Sequence, residues 1–183
     1  MHDVQFVAMM SDLQHWGPMG NRQFTSAEIG EMIACEKQIV DAPRSEMREE
    51  RGFRRNQCSL KSTDGRFRFD VFIRVNSAFP ENFSVGLDFL DDDGSRTSLL
   101  RCNGPHEGTE TNSSHSIGNH AGFHIHLATA ENIADGLDPV RGAERTKEYG
   151  SLDEAISYFM KRCNVIDAFK HFKDLREPRL FPQ

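Results

Sequence analysis

The sequence predicts an α+β domain: an antiparallel sheet of about five strands, ordered as a meander, with N- and C-terminal helices packed on one face. Three observations lead there. Two helix-periodic segments with capping signals open at Thr25 and Ser151, and the stretch between them alternates apolar and polar residues with period two. The alternating runs are joined by short links, which suit antiparallel neighbours because a parallel crossover needs a dozen residues or more. At 183 residues and 37% hydrophobic content, the chain is long enough for one well-buried core, so residues 1–183 are read as a single domain.

Residues 1–22 are set aside as an N-terminal extension. Thr25-Ser26-Ala27-Glu28 has the form of a capping box, and Ile29, Met32, Ile33 and Val40 carry a helical stripe through about Val40. A charged connection containing Pro43 leads to a weak strand near Cys58–Leu60 and the turn Ser62-Thr63-Asp64-Gly65. Phe67, Phe69, Val71, Ile73 and Val75 then alternate with Arg66, Arg68, Asp70, Phe72 and Arg74, and Phe83, Val85, Leu87 and Phe89 repeat that alternation after the Phe79-Pro80 turn. Asp93-Gly94 turns the chain into a fourth strand at about Thr97–Asn103.

Residues 104–122 are polar and rich in Gly, Ser, Asn and His, without period, and read as a long loop feeding a fifth strand at Phe123–Leu127. Ser151-Leu152-Asp153-Glu154 opens the second helix, with Ala155, Ile156, Phe159, Met160 and Cys163 inward. Asn164 interrupts it before Ile166, Phe169 and Phe172 continue the stripe, and 178–183 form a loosely held tail.

A formal charge of −6 argues against coating nucleic acid by bulk attraction. Arg44 to Arg68 nevertheless holds eight basic residues against four acidic ones, so RNA contact there stands beside the blander reading of a solvated, salt-bridged segment. Asp91-Asp92-Asp93 lacks the alternating ligand spacing of a calcium loop. Cys35, Cys58, Cys102 and Cys163 show no C-x-x-C spacing, and Met1-His2-Asp3-Val4 lacks an export pattern. A reduced, cytoplasmic protein without membrane partners is expected.

His106, His115, His120, His124 and His126 fall within one short stretch. Strand parity sends Phe123, Ile125 and Leu127 to one face and sets His124 and His126 side by side on the other, roughly 6–7 Å apart. Arg101 and Asn103 share a parity on the preceding strand, so if the two strands pair in the matching register, Arg101 reaches the histidines. Two imidazoles so placed suit proton transfer or metal ligation.

Leu99-Leu100-Arg101-Cys102-Asn103-Gly104-Pro105-His106, then Phe123-His124-Ile125-His126, then Phe159 to Asn164-Val165, resemble an uncharacterised bacterial and phage family described only as a domain of unknown function. The resemblance extends upstream to the capped first helix, Lys37 and the Phe69-Asp70 strand. The motif, an arginine strand ending in a histidine and followed by H-x-H, is also locally similar to that of TumE-type toxins of bacterial toxin–antitoxin pairs. Those toxins usually carry Asp where this chain has Cys102, and their spacing from His106 to the H-x-H positions is shorter. The resemblance implies a site at Arg101, Asn103, His106, His124 and His126.

Three functions fit these residues. The first is a toxin-like endoribonuclease that needs no metal, with His124 and His126 transferring protons, Arg101 holding phosphate and His106 orienting either imidazole; an antitoxin partner would follow. The second places zinc or another transition metal on His124 and His126, with His106, His115 or His120 completing three ligands. The third is a phage or mobile-element accessory or inhibitor protein that binds a host protein. Beside them, His115 and His120 read first as residues that fix the loop, and Arg101 as a salt-bridge partner of Asp88. Tyr149 and Thr146 read as packing more than as pocket lining. Histidine-triad hydrolase chemistry is disfavoured because Ala128 occupies the third alternating position.

Overall fold

The computed structural model describes residues 22–106 and 120–172. Its architecture is α+β, with three helices and an eight-stranded, mostly antiparallel sheet among the described residues. In chain order the elements are α1 (Ser26–Ala34), β1 (Lys37–Asp41), β2 (Arg48–Glu50), β3 (Phe53–Ser62), β4 (Arg68–Asn76), β5 (Phe83–Leu90), β6 (Arg96–Asn103), β7 (His124–Leu127), α2 (Ala130–Ala134), β8 (Glu144–Arg145) and α3 (Leu152–Arg162). The strands lie in the order β1-β3-β4-β5-β6-β7-β8, with β2 sharing the β3 edge with β1. The meander from β3 to β7 is the expected one, and the five expected strands are extended by β1 and β2 at one edge and β8 at the other.

Strand alternation determines the two faces. Phe69, Val71, Ile73 and Val75 on β4 lie opposite Phe89, Leu87, Val85 and Phe83 on β5, and all eight are buried. Against this face α1 buries Ile29, Met32 and Ile33, and α3 buries Ala155, Ile156, Phe159 and Met160. Burial of each such side chain stabilises by roughly 1.5–3 kcal/mol before conformational entropy is subtracted. The reciprocal Thr25–Glu28 capping box starts α1 as read from sequence. The short helix α2, not expected, buries none of its residues.

The first helix ends earlier than its apolar stripe suggested. Cys35 is already extended, and Lys37–Asp41 pairs with β3, leaving Val40 63% exposed. Lys37 supplies the reason: its ammonium is fully buried and donates to the carbonyls of Ile33 (2.8 Å), Cys35 (2.9 Å) and Cys163 (2.9 Å), 4.9 Å from the Phe69 ring centroid. One side chain thus satisfies carbonyls near the C-termini of both packed helices, groups that would otherwise lack donors. Asn164 takes a left-handed conformation (φ 52°) and stops α3. Beyond it Val165 and Ala168 turn inward and Ile166 is exposed, so the apolar stripe expected at Ile166, Phe169 and Phe172 is displaced.

The weak strand near Cys58–Leu60 is ten residues long. Arg54 and Asn56 occupy core-parity positions opposite Val75 and Ile73, yet neither is buried; this hides the alternation in the sequence. None of the described helices is long and apolar enough to cross a membrane. The four cysteines form no disulfide, and burial raises the thiols of Cys58, Cys102 and Cys163 to about 12. The middle of the 104–122 loop, including His115, most of the 1–22 extension and the 178–183 tail lie outside the described residues.

A buried histidine cluster as candidate metal centre

The open face of the sheet, opposite the helices, carries the candidate site. In the β6–β7 register Arg101 lies directly opposite His126 and Asn103 opposite His124, the matching register on which the sequence reading was conditional. A register shift at Leu87/Asp88 shapes this face. Leu87 pairs with Leu100 and Asp88 with Ser98, so Leu99 is the extra residue of a bulge. Ser98 and Arg101 consequently share the open face. Arg101 donates to Ser98 Oγ at 3.3 Å, and Ser98 Oγ donates to Asp88 at 2.6 Å. The direct Arg101–Asp88 salt bridge read from sequence is therefore replaced by a relay, and the guanidinium also stands 4.0 Å from Asp138.

Parity is as expected, but burial is reversed. His124 is fully buried and His126 is 7% exposed, whereas Phe123, Ile125 and Leu127 are only half-buried. Backbone carbonyls fix both rings: His124 Nδ1 contacts the Gly122 carbonyl at 2.7 Å, and His126 Nδ1 the Val140 carbonyl at 2.8 Å. A carbonyl only accepts, so each Nδ1 carries the proton and each Nε2 keeps its lone pair. Asn103 Nδ2 stands 3.4 Å from His124 Nε2, as a donor to that lone pair. Tyr149 holds the strands from below, its hydroxyl donating to the carbonyl of His124 at 2.6 Å with that of Asn103 at 3.3 Å. This supports the packing reading of Tyr149, and Thr146 contributes backbone pairing to Phe123.

The long loop returns to the site that it leaves. The His106 N–H donates to the His120 carbonyl at 3.0 Å, which brings both imidazoles to the H-x-H pair. Ring centroids are 5.0 Å apart for His106–His120 and His106–His124, 4.7 Å for His120–His124, 4.9 Å for His124–His126 and 5.4 Å for His120–His126. Nitrogen atoms of His106, His120 and His124 all lie within 4.8 Å of one another. A tetrahedral ion with bonds of about 2.0–2.1 Å needs ligands about 3.4 Å apart, a gap that small ring rotations close. The site therefore joins Arg101, Asn103, His106, His124 and His126 with His120, which the sequence offered both as a loop-fixing residue and as one choice of third metal ligand. Its sequence signal was membership of the histidine-rich stretch.

The electrostatics favour neutral His124 and His126. Burial lowers His124 to about 4 against the Gly122 carbonyl, which opposes the shift, and the neighbouring His126, His106 and His120 lower it further. Burial also lowers His126, with His120 and Arg101 adding to the effect. Among the described residues, the buried side-chain atoms without a hydrogen-bond partner are Arg101 Nε, Asn103 Oδ1 and His120 Nδ1, and all three belong to this site. Buried polar groups are ordinarily paired, so three such atoms together fit a place where a water or an ion completes the bonding. Neutral imidazoles with oriented lone pairs are the form in which histidine ligates Zn, Cu, Ni or Fe. Compared with known protein families, with curated proteins and with solved structures, the chain matches none.

Proposed function

We propose that the chain is a histidine-ligated, metal-dependent hydrolase acting on an anionic substrate, with zinc as the expected ion on His106, His120 and His124. The observation that carries this reading is the convergence of those three imidazoles, one of them with a buried, unpartnered Nδ1. Three histidine ligands leave a coordination position for water, whose pKa zinc lowers to about 7. His126 flanks the group as proton acceptor or additional ligand. Arg101, directly opposite His126, supplies the cation for a phosphate or carboxylate. Asn103 holds His124 Nε2 until an ion takes it.

A metal-free ribonuclease is the second reading, favoured by the same Arg101–His126 pairing, with the His126 ring held through Nδ1 by the Val140 carbonyl. It needs one imidazole charged near neutral pH to act as acid, and the depressed His124 and His126 oppose that. Metal analysis separates the two. Protein loaded with zinc and desalted should retain one stoichiometric ion, and His120→Ala and His124→Ala should each lose it while remaining folded. Hydrolysis of a chromogenic phosphodiester should stop on chelation and return with zinc. Wild-type protein that takes up no ion, or variants that bind it equally well, would sink the metal reading. RNA cleavage that persists in chelator would favour the second.

A further inference from the structure

The open face continues away from the histidines through Arg55, Arg74 and Phe72, which the histidine chemistry does not use. Across the strands, Arg55 pairs with Arg74, Arg74 with Ser84, Ser84 with Asn103 and Asn103 with His124. The adjacent row runs from Phe72 through Gly86 and Arg101 to His126. The longer row crosses from β3 to β7, four strand spacings or about 19 Å. Along it, the Arg74 guanidinium stacks 3.7 Å from the Phe53 ring centroid. Phe72 lies across the β5 backbone at Gly86, where an added Cβ would come 2.3 Å from its ring, and Arg101 stands 6.0 Å from that ring's centroid. Glycine at this position lets an aromatic ring rest on the sheet beside the arginines.

The charges of this face are unequal along its length. At one end Arg96 holds Asp70 at 2.7 Å and Arg68 holds Asp92 at 3.2 Å. At the other, among the described residues, neither Arg55 nor Arg74 forms an ion pair, although they are direct cross-strand partners. Like charges directly opposite repel, and the partner of Arg55 on β2 is a further arginine, Arg48, with Glu50 two positions along, opposite Phe53. An arginine pair of this kind is stabilised by a bound anion. Phosphate alone would use the arginines and leave Phe72 without a role. Bases on a phosphodiester chain use both, because every base offers a face for stacking whereas duplex bases are already stacked.

We propose that this face binds single-stranded nucleic acid, with phosphates on Arg55, Arg74 and Arg101 and a base on Phe72, and leads the strand to the histidine centre. As the substrate class of that centre the proposal rests on the hydrolase reading, whereas the binding face stands without it. Fluorescence anisotropy with the full chain tests it, using labelled oligouridine RNA, oligothymidine DNA and a duplex of equal length at low salt. One or both single strands should bind, the tighter one identifying RNA or DNA as the natural source, and the duplex should bind more weakly. Arg55→Ala, an exposed change, should reduce the slope of log affinity against log salt by about 1. Phe72→Ala should weaken binding roughly 5- to 100-fold and Phe72→Trp should restore it. His106→Ala/His120→Ala should bind like wild type; a wild-type chain that binds the strand but never cleaves it would remove the hydrolase reading and leave the face intact. Absence of binding to either strand, equal binding of duplex, or unchanged affinity in both Arg55→Glu and Phe72→Ala would overturn the proposal.

Discussion

The two faces of this sheet bury polar groups in opposite ways. On the helix-covered face the buried ammonium of Lys37 finds three carbonyls and an aromatic ring. On the open face a buried histidine cluster sits among three side-chain atoms with no partner at all. Both arrangements cost desolvation, but only the first is repaid within the chain. A satisfied buried charge ties elements together, and an unsatisfied buried group keeps a place for a ligand. On the proposed reading one face carries stability and the other function, and each variant below tests one side of that division.

The largest effect is expected at Lys37. Lys37→Met keeps much of the side chain's length and removes its donors, leaving three helix-end carbonyls unpaired in the core. Loss of such a buried charged donor costs about 3 kcal/mol or more, read as a lower urea midpoint at unchanged m-value. Zinc stoichiometry in the folded variant should equal that of wild type. Loss of the ion in a folded Lys37→Met chain would break the separation of the faces.

That separation was partly legible in the sequence. Strand parity placed Arg101, Asn103, His124 and His126 on one face because all four lie beyond the Leu99 bulge, where alternation along β6 and β7 is regular. The capping residues located the starts of α1 and α3. What the sequence hid was decided by long-range partners. Lys37 reads as an ordinary helix residue until Cys163 supplies a carbonyl 126 positions away. β2 and β8 have three and two residues, too few to show a period, and exist by pairing with longer neighbours. His120 joins the site through backbone closure with His106, which no local pattern announces.

A smaller effect, on the open face, is expected from acid. His124 is held neutral in the folded chain, lowered from 6.5 to about 4. The unfolded chain therefore takes up the proton first, and folding loses stability as pH falls from about 6.5 toward 4, where the folded ring also protonates. The loss is on the order of 2 kcal/mol from this residue. Denaturation of the metal-free protein at pH 7 and pH 5 measures it, and His124→Asn should flatten the profile. A profile equally steep in the variant would show that the cluster does not carry its burial cost through this ring.

The smallest effect belongs to a group on neither face. Asp64, at the β3–β4 turn, is exposed and held at about 2, first by the Arg66 backbone N–H at 3.0 Å, then by the Ser62 hydroxyl at 2.7 Å and the Arg66 guanidinium. Its carboxyl is depressed, so its contribution is complete above about 3.8 and disappears as pH falls through about 2. Solvent screens the ion pair, leaving turn geometry as its main role: Asp64 caps the chain just before it reverses at Gly65 (φ 79°). Asp64→Asn keeps one acceptor oxygen for the Arg66 N–H and the Ser62 hydroxyl, so its thermal midpoint at pH 7 should fall by a degree or two at most. Zinc content and oligonucleotide affinity should not change. A turn variant that altered either would show that the open face senses the edge of the sheet, and the division of labour between the two faces would have to be redrawn.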